Sequence, residues 1–218
     1  MGRRRRHRWA WGDGLINEGK MTGSDYVRYV VSYKPSEEAE KKMSSLQKIF
    51  CEMGRLTNMP PLHCTIMAFD SSGLLEEEIK KSFLATEYCH PEATMAQLDT
   101  FYNSTLVVKV DKNKEMVKNH LLSLNAFERY ISMDSDFTKN LGKMLMTPHQ
   151  KNMYKKYGSP FFGELYNPHI SLGKISINYN GLLNRYSEYL SGTALDPKCI
   201  QLSRKFSGRW TDIEIRNI

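Results

Sequence analysis

The sequence predicts an α+β fold with two pseudo-symmetric lobes, each a mainly antiparallel sheet with helices packed outside and a cleft between the lobes. Stretches rich in valine and tyrosine alternate with stretches of helical periodicity. The order strand, helix, strand, helix, two strands then roughly repeats along the chain. A second observation is one short pattern in a predicted strand of each half: a histidine, any residue, a hydroxyl residue and an apolar residue. Helices and strands mixed in this way are typical of α+β domains.

The first half of the chain supplies four predicted strands and three predicted helices. The strands are residues 25–33, 62–69, 94–102 and 105–111, with a turn near Asn103 and Ser104. The helices run from Ser36 to Gly54, from about 74 to 86 and from about 114 to 130. Ser36 is expected to cap the first helix, because a serine hydroxyl accepts well from a free backbone N–H.

The second half repeats roughly the same order. Residues 137–157 are predicted to be partly helical, with Pro148 breaking the helix. The second copy of the pattern lies in "ELYNPHISLGKISI", and a helix near residues 182–190 follows it. The segments "CIQLSRKF" and "WTDIEIRNI" are predicted to be the last two strands. Each half therefore owns one copy, and we expect the two motif strands to face one another.

Composition limits the functional classes. The chain has 218 residues and a net charge of +7, and the run Arg3 to Arg6 lies in a tail for which we predict disorder, residues 1–23. Residues 24–218 are predicted to form a single bilobal domain. No apolar stretch approaches the roughly 18 to 20 residues that span a membrane, so we expect no membrane partner. The four cysteines form no C-x-x-C pair, which favours reduced cysteines in an intracellular protein, cytoplasmic or nuclear. The arginine run is a possible nuclear signal.

The two copies of the pattern predict one shared site. Alternation along a strand places His63 and Thr65 on one face, and likewise His169 and Ser171. One neutral imidazole can accept a proton from a nucleophile while a protonated one donates to a leaving oxygen. The two hydroxyls can donate to the oxygens of a phosphate as charge develops there. This chemistry needs no metal and no cofactor.

The segments His63-Cys64-Thr65-Ile66 and His169-Ile170-Ser171-Leu172 resemble the paired H-x-T/S-h signature of the 2H phosphoesterase superfamily. That superfamily includes RNA 2′-5′ ligase-like proteins, cyclic phosphodiesterases and 2′,5′-oligoadenylate phosphodiesterases. The resemblance implies catalytic roles for the two histidines, substrate contacts from the two hydroxyls, and metal-independent phosphodiester chemistry. In the order of helices and strands, the resemblance extends over about residues 25–218. At the level of individual residues it rests mainly on the two short motifs.

Several assignments stay open. Tyr166 is a candidate for stacking on a base and Lys174 for binding a second phosphate. The expected partner is a nucleotide or RNA, and the chain is expected to be a monomer. The substrates considered are a 2′-5′ oligoadenylate or similar 2′-5′ linked nucleotide, a cyclic dinucleotide and an RNA 2′,3′-cyclic phosphate. The alternatives to a phosphodiesterase are a catalytically idle RNA- or nucleotide-binding module and an RNA end-processing or ligase-like component.

Overall fold

A computed structural model describes residues 26–101, 104–175 and 180–218 of the chain. The predicted disordered tail and Asn103 of the predicted turn lie outside these residues. Ser104 is described, and its backbone N–H donates to the Phe101 carbonyl at 3.2 Å. Within the described part of the chain, no helix is both long and apolar enough to cross a membrane.

Eight strands and six α-helices make up the described fold. The strands are β1 Tyr26–Lys34, β2 Leu56–Thr57, β3 Cys64–Ser72, β4 Met95–Phe101, β5 Thr105–Val110, β6 His169–Ile175, β7 Cys199–Phe206 and β8 Arg209–Asn217. The helices are α1 Glu37–Glu52, α2 Glu76–Ala85, α3 Lys114–Phe127, α4 Asp136–Leu141, α5 Pro148–Tyr157 and α6 Asn180–Leu190. Short 3₁₀ helices span Gly73–Leu75, Glu128–Tyr130 and Gly163–Leu165. The α+β prediction is therefore confirmed.

The strands form one antiparallel sheet that is nearly divided in two. Its order is β4-β5-β6-β3-β1-β7-β8, and β2 pairs with β6. The central strands β3 and β6 share a single paired position, Cys64 with Ile170. Four strands lie on each side of this junction, and these two groups are the predicted lobes. The lobes meet edge to edge, so the expectation that the motif strands face one another is wrong: the strands lie side by side in one sheet.

Each lobe draws strands from both halves of the chain. The β3 lobe combines β1 and β3 with the carboxyl-terminal strands β7 and β8. The β6 lobe combines β2, β4 and β5 with β6. A half of the sequence is thus not a lobe, although each lobe holds one copy of the motif.

The helices pack on the sheet and are capped by local side chains. The Ser36 hydroxyl accepts from the Ala39 N–H at 3.3 Å, as predicted for the start of α1. Pro148 begins α5 instead of breaking a helix, because a proline at the first helical position loses no hydrogen bond. The largest completely buried side chains are aromatic, Tyr29, Tyr33, Phe50, Phe83 and Phe127. This core packs against the buried face of β3 and β6.

Candidate active site

The junction between the lobes brings the two motifs together. In an antiparallel pair, partner numbers change in opposite directions. Because Cys64 pairs with Ile170, Thr65 falls beside His169 and His63 beside Ser171. Cys64 and Ile170 are completely buried and point into the core. Alternation then places the four motif side chains together on the opposite face, where all four are half-buried.

The two imidazoles are held in the same way. His63 lies one residue before β3, and its Nδ1 is 2.8 Å from the carbonyl oxygen of Pro61. Nδ1 of His169 is 2.9 Å from the carbonyl oxygen of Asn167. A carbonyl oxygen only accepts, so in each ring Nδ1 carries the proton and donates it. Each neutral imidazole therefore keeps Nε2 as the nitrogen that can take up a further proton.

The electrostatic environment favours neutral imidazoles. Burial lowers the pKa of His169, and the hydrogen bond to Asn167 opposes this shift. Burial also lowers the pKa of His63, against the effect of its hydrogen bond to Pro61. The charge of a protonated His169 lowers the pKa of His63 further, whereas the Asp212 carboxylate raises it. The two imidazoles thus interact, and a proton on one disfavours a proton on the other.

An aromatic ring flanks each histidine. The ring centroid of Trp210, in β8, lies 5.2 Å from that of His63. The ring of Phe101, at the end of β4, meets His169 edge-on with centroids 4.5 Å apart. Both aromatic side chains are half-buried, so part of each is exposed beside the motifs. Rings at these positions can stack on nucleobases on either side of a central phosphate.

Lysines border the site on both lobes. Lys174 continues β6 beyond Ser171, pairs with Thr105 and donates from its ammonium group to the Thr105 hydroxyl at 3.2 Å. The Lys205 ammonium lies 5.6 Å from the centre of the Trp210 ring. Lys174 therefore stays a candidate for a phosphate contact, since a register shift after Ser171 keeps it on the face of the motif side chains.

Tyr166 occupies a different place from the one predicted. Only 6% of it is exposed, and its ring stacks on the His120 ring with centroids 4.3 Å apart. Its hydroxyl donates to the Thr65 carbonyl at 3.2 Å. A ring buried in this way does not fit the predicted contact with substrate. It touches the backbone of the first motif instead.

No cluster of three or more histidine, cysteine, aspartate or glutamate side chains that could hold a metal ion occurs in residues 26–101, 104–175 and 180–218. Two residues near the motifs were not singled out from the sequence. Phe101 looks like an ordinary inward residue of a strand, and His120 falls outside the motif pattern. Only the folded chain brings them to the histidines and to Tyr166.

Comparison with known proteins rests on structure. A scan of protein-family models gives no match, and no curated protein matches the sequence. TT0787 of Thermus thermophilus superposes with a TM-score of 0.56 at 14% identity, covering 87% of this chain and 97% of that one. E. coli LigT in apo form gives 0.51 at 14% identity, covering 89% and 98%. E. coli LigT complexed with 3′-AMP gives 0.53 at 12% identity, covering 88% and 98%.

These neighbours are members of the 2H phosphoesterase superfamily. Identities this low establish the fold only, but the superposition covers nearly all of each neighbour. The resemblance predicted from two short motifs is confirmed at that level, and the chain has the fold of the 2H phosphoesterases.

Proposed function

We propose that the protein is a metal-independent phosphodiesterase that uses His63 and His169 as general acid and base on a phosphodiester joined to a ribose 2′ oxygen. The observation that carries this proposal is the matched pair of imidazoles at the lobe junction. Each donates from Nδ1 to the carbonyl two residues earlier, so each offers Nε2 for proton transfer. Acid-base chemistry at one phosphate requires two such groups in different protonation states.

The proposed reaction needs one proton accepted and one donated. The neutral imidazole removes the proton from the attacking hydroxyl or water, whose oxygen bonds to phosphorus. The protonated imidazole gives its proton to the departing oxygen as the old P–O bond breaks. The hydroxyls of Thr65 and Ser171 donate to the non-bridging oxygens while negative charge grows on them. At the end of the step the two imidazoles have exchanged protonation states.

Two features favour a 2′-linked nucleotide as substrate. The adjacent ribose hydroxyl of a 2′-5′ linkage is already positioned to attack, and a 2′,3′-cyclic phosphate is strained, so either suits a site built from imidazoles and hydroxyls. Trp210 and Phe101 flank the two histidines and can take the bases. E. coli LigT has been crystallised with 3′-AMP and with ATP, which is consistent with a nucleotide as the ligand proposed here.

The test is a panel of 2′-5′ oligoadenylate, 3′-5′ RNA, cyclic dinucleotide and 2′,3′-cyclic phosphate substrates, incubated with EDTA. Attack by the neighbouring 3′-hydroxyl releases a cyclic phosphate end, and attack by water on a cyclic phosphate leaves a monoester. Mass spectrometry of the products distinguishes the two. Turnover that disappears in EDTA contradicts the proposed chemistry. Binding without any turnover identifies the idle nucleotide-binding alternative.

Variants test the assigned roles. His63→Ala and His169→Ala are each expected to lower kcat by about 10²- to 10⁴-fold with the circular dichroism spectrum unchanged. Thr65→Ala and Ser171→Ala are expected to cost about 10- to 1000-fold. The control is His90→Ala, because that histidine is remote from the motifs in sequence and pairs with Asp196. Activity that survives both histidine substitutions rules out this mechanism.

A further inference from the structure

Two adjacent carbonyls of the first motif strand accept hydrogen bonds from side chains. Ile66 is an extra residue on β3, since Val31 pairs with Met67 while Ser32 pairs with Thr65. The Tyr166 hydroxyl donates to the Thr65 carbonyl at 3.2 Å. Nδ1 of His120 lies 2.7 Å from the Ile66 carbonyl oxygen. Successive carbonyls of a regular strand point in opposite directions, and the bulge allows both to face the same stacked pair of rings.

The two rings form one stacked unit. They stack in parallel, with centroids 4.3 Å apart and planes 4° from parallel. His120 is 1% exposed. The backbone N–H of Gly163 donates to His120 Nε2 at 2.9 Å, so Nε2 is an acceptor and Nδ1 must be the donor to Ile66. Both nitrogens of a neutral imidazole are thereby used, and the ring has one orientation and one tautomer.

This unit links the two motifs through separate segments of the chain. His120 belongs to α3, and Gly163 begins the 3₁₀ helix that leads to Tyr166. Tyr166 lies three residues before His169 in the chain. Its hydroxyl donates to the carbonyl of Thr65, which lies beside His169 on the other motif strand. The strands share only one paired position there, so few backbone hydrogen bonds fix their relative position. The ring pair supplies contacts where the sheet divides.

We propose that Tyr166 and His120 are positioning residues, which hold the backbone of Thr65 and Ile66 so that the first motif keeps its geometry relative to His169. The inference rests on the proposed function for its kinetic consequence. Neither side chain touches substrate in this account. Loosening the unit should therefore lower kcat, because misplacement of catalytic groups by a fraction of an ångström is costly, while KM changes little.

The first test removes one hydroxyl. Tyr166→Phe deletes the hydrogen bond to Thr65 and keeps the ring, and we expect kcat to fall about tenfold, the equivalent of about 1.4 kcal/mol. The matched control is Tyr33→Phe, since Tyr33 is completely buried and its hydroxyl accepts from the Asn119 side-chain amide at 2.7 Å. Tyr33→Phe should keep kcat within about twofold at a similar loss of Tm. If Tyr166→Phe and Tyr33→Phe lower kcat equally, Tyr166 acts only as a core residue and the proposal is overturned.

The second test separates the two nitrogens of His120. An asparagine amide nitrogen is as many bonds from Cβ as Nδ1, so His120→Asn keeps a donor toward Ile66. A glutamine carbonyl oxygen is as many bonds from Cβ as Nε2, so His120→Gln keeps an acceptor toward Gly163. We expect His120→Asn to retain about tenfold more kcat than His120→Gln. If His120 has a purely structural role, the variant with the higher Tm should also have the higher kcat, whichever of the two variants that is.

A third measurement does not depend on activity. Amide hydrogen exchange across β3 should speed up at Ile66 and Met67 in Tyr166→Phe and not in Tyr33→Phe. If the unsubstituted protein turns over none of the substrates, the proposed function fails and hydrogen exchange alone decides whether the ring pair holds this strand. Unchanged exchange in Tyr166→Phe refutes the positioning role even if the enzyme is active.

Discussion

The pH dependence of turnover follows from the burial of the two histidines. Both imidazole pKa values lie below the ordinary 6.5, and the proposed mechanism requires one protonated and one neutral ring. Above both pKa values the singly protonated fraction falls tenfold for each pH unit. We therefore expect kcat/KM to decrease about tenfold between pH 7 and pH 8, with its maximum below pH 6.5.

Substrate should move this profile in a known direction. The negative charge of a bound phosphodiester favours a protonated imidazole and raises its pKa. The descending limb of kcat, which reports the complex, should then lie at higher pH than that of kcat/KM, which reports the free enzyme. Initial rates with a 2′-linked substrate between pH 4.5 and 9, in buffers of constant ionic strength, on the order of 0.1 M, measure both. A kcat/KM that is flat or rises from pH 7 to 8 refutes the assignment of two neutral, half-buried imidazoles.

Three further substitutions or titrations probe the same region. Gly173→Ala should lower the free energy of unfolding in urea by about 1–3 kcal/mol, because the φ of Gly173 is +149° and an added Cβ would lie 2.8 Å from a backbone oxygen of β2. The control is Gly208→Ala, since Gly208 also has a positive φ (+77°) but lies in open space. Equal losses of stability in the two variants would contradict the predicted clash at Gly173. Asp212→Asn removes a charge that raises the His63 pKa, so NMR titration should show that pKa fall further, and no change would mean that the carboxylate does not act on the ring. Burial lowers the pKa of His120 in the folded protein, so the unfolded state binds more protons below about pH 6.5. The free energy of unfolding should therefore fall as pH drops from 7 to 5, by about 1.4 kcal/mol per unit of pKa difference between the two states. A Tm that is constant over this range would refute this prediction.

The sequence was sufficient to predict that the motif side chains share a face, because alternation along a strand is a local property. It also placed the cap at Ser36 correctly. The composition of the lobes depends on which distant strands pair, and β7 lies beside β1 although more than 160 residues separate them. No local pattern carries that information. For the same reason the sequence did not identify His120, because its proposed role depends on backbone atoms of Ile66 and Gly163 from two other segments.

The exchange of strands between the halves of the chain has a consequence for synthesis. During translation β1 can pair with β3 early, but its second edge has no partner until β7, Cys199–Phe206, has emerged. A buried central strand therefore stays an open edge for most of the time the chain is being made, and contacts this distant in sequence form slowly. Open edges of this kind can recruit other chains. A nascent chain stalled before residue 199 should thus depend on chaperones, although it already carries both histidine motifs.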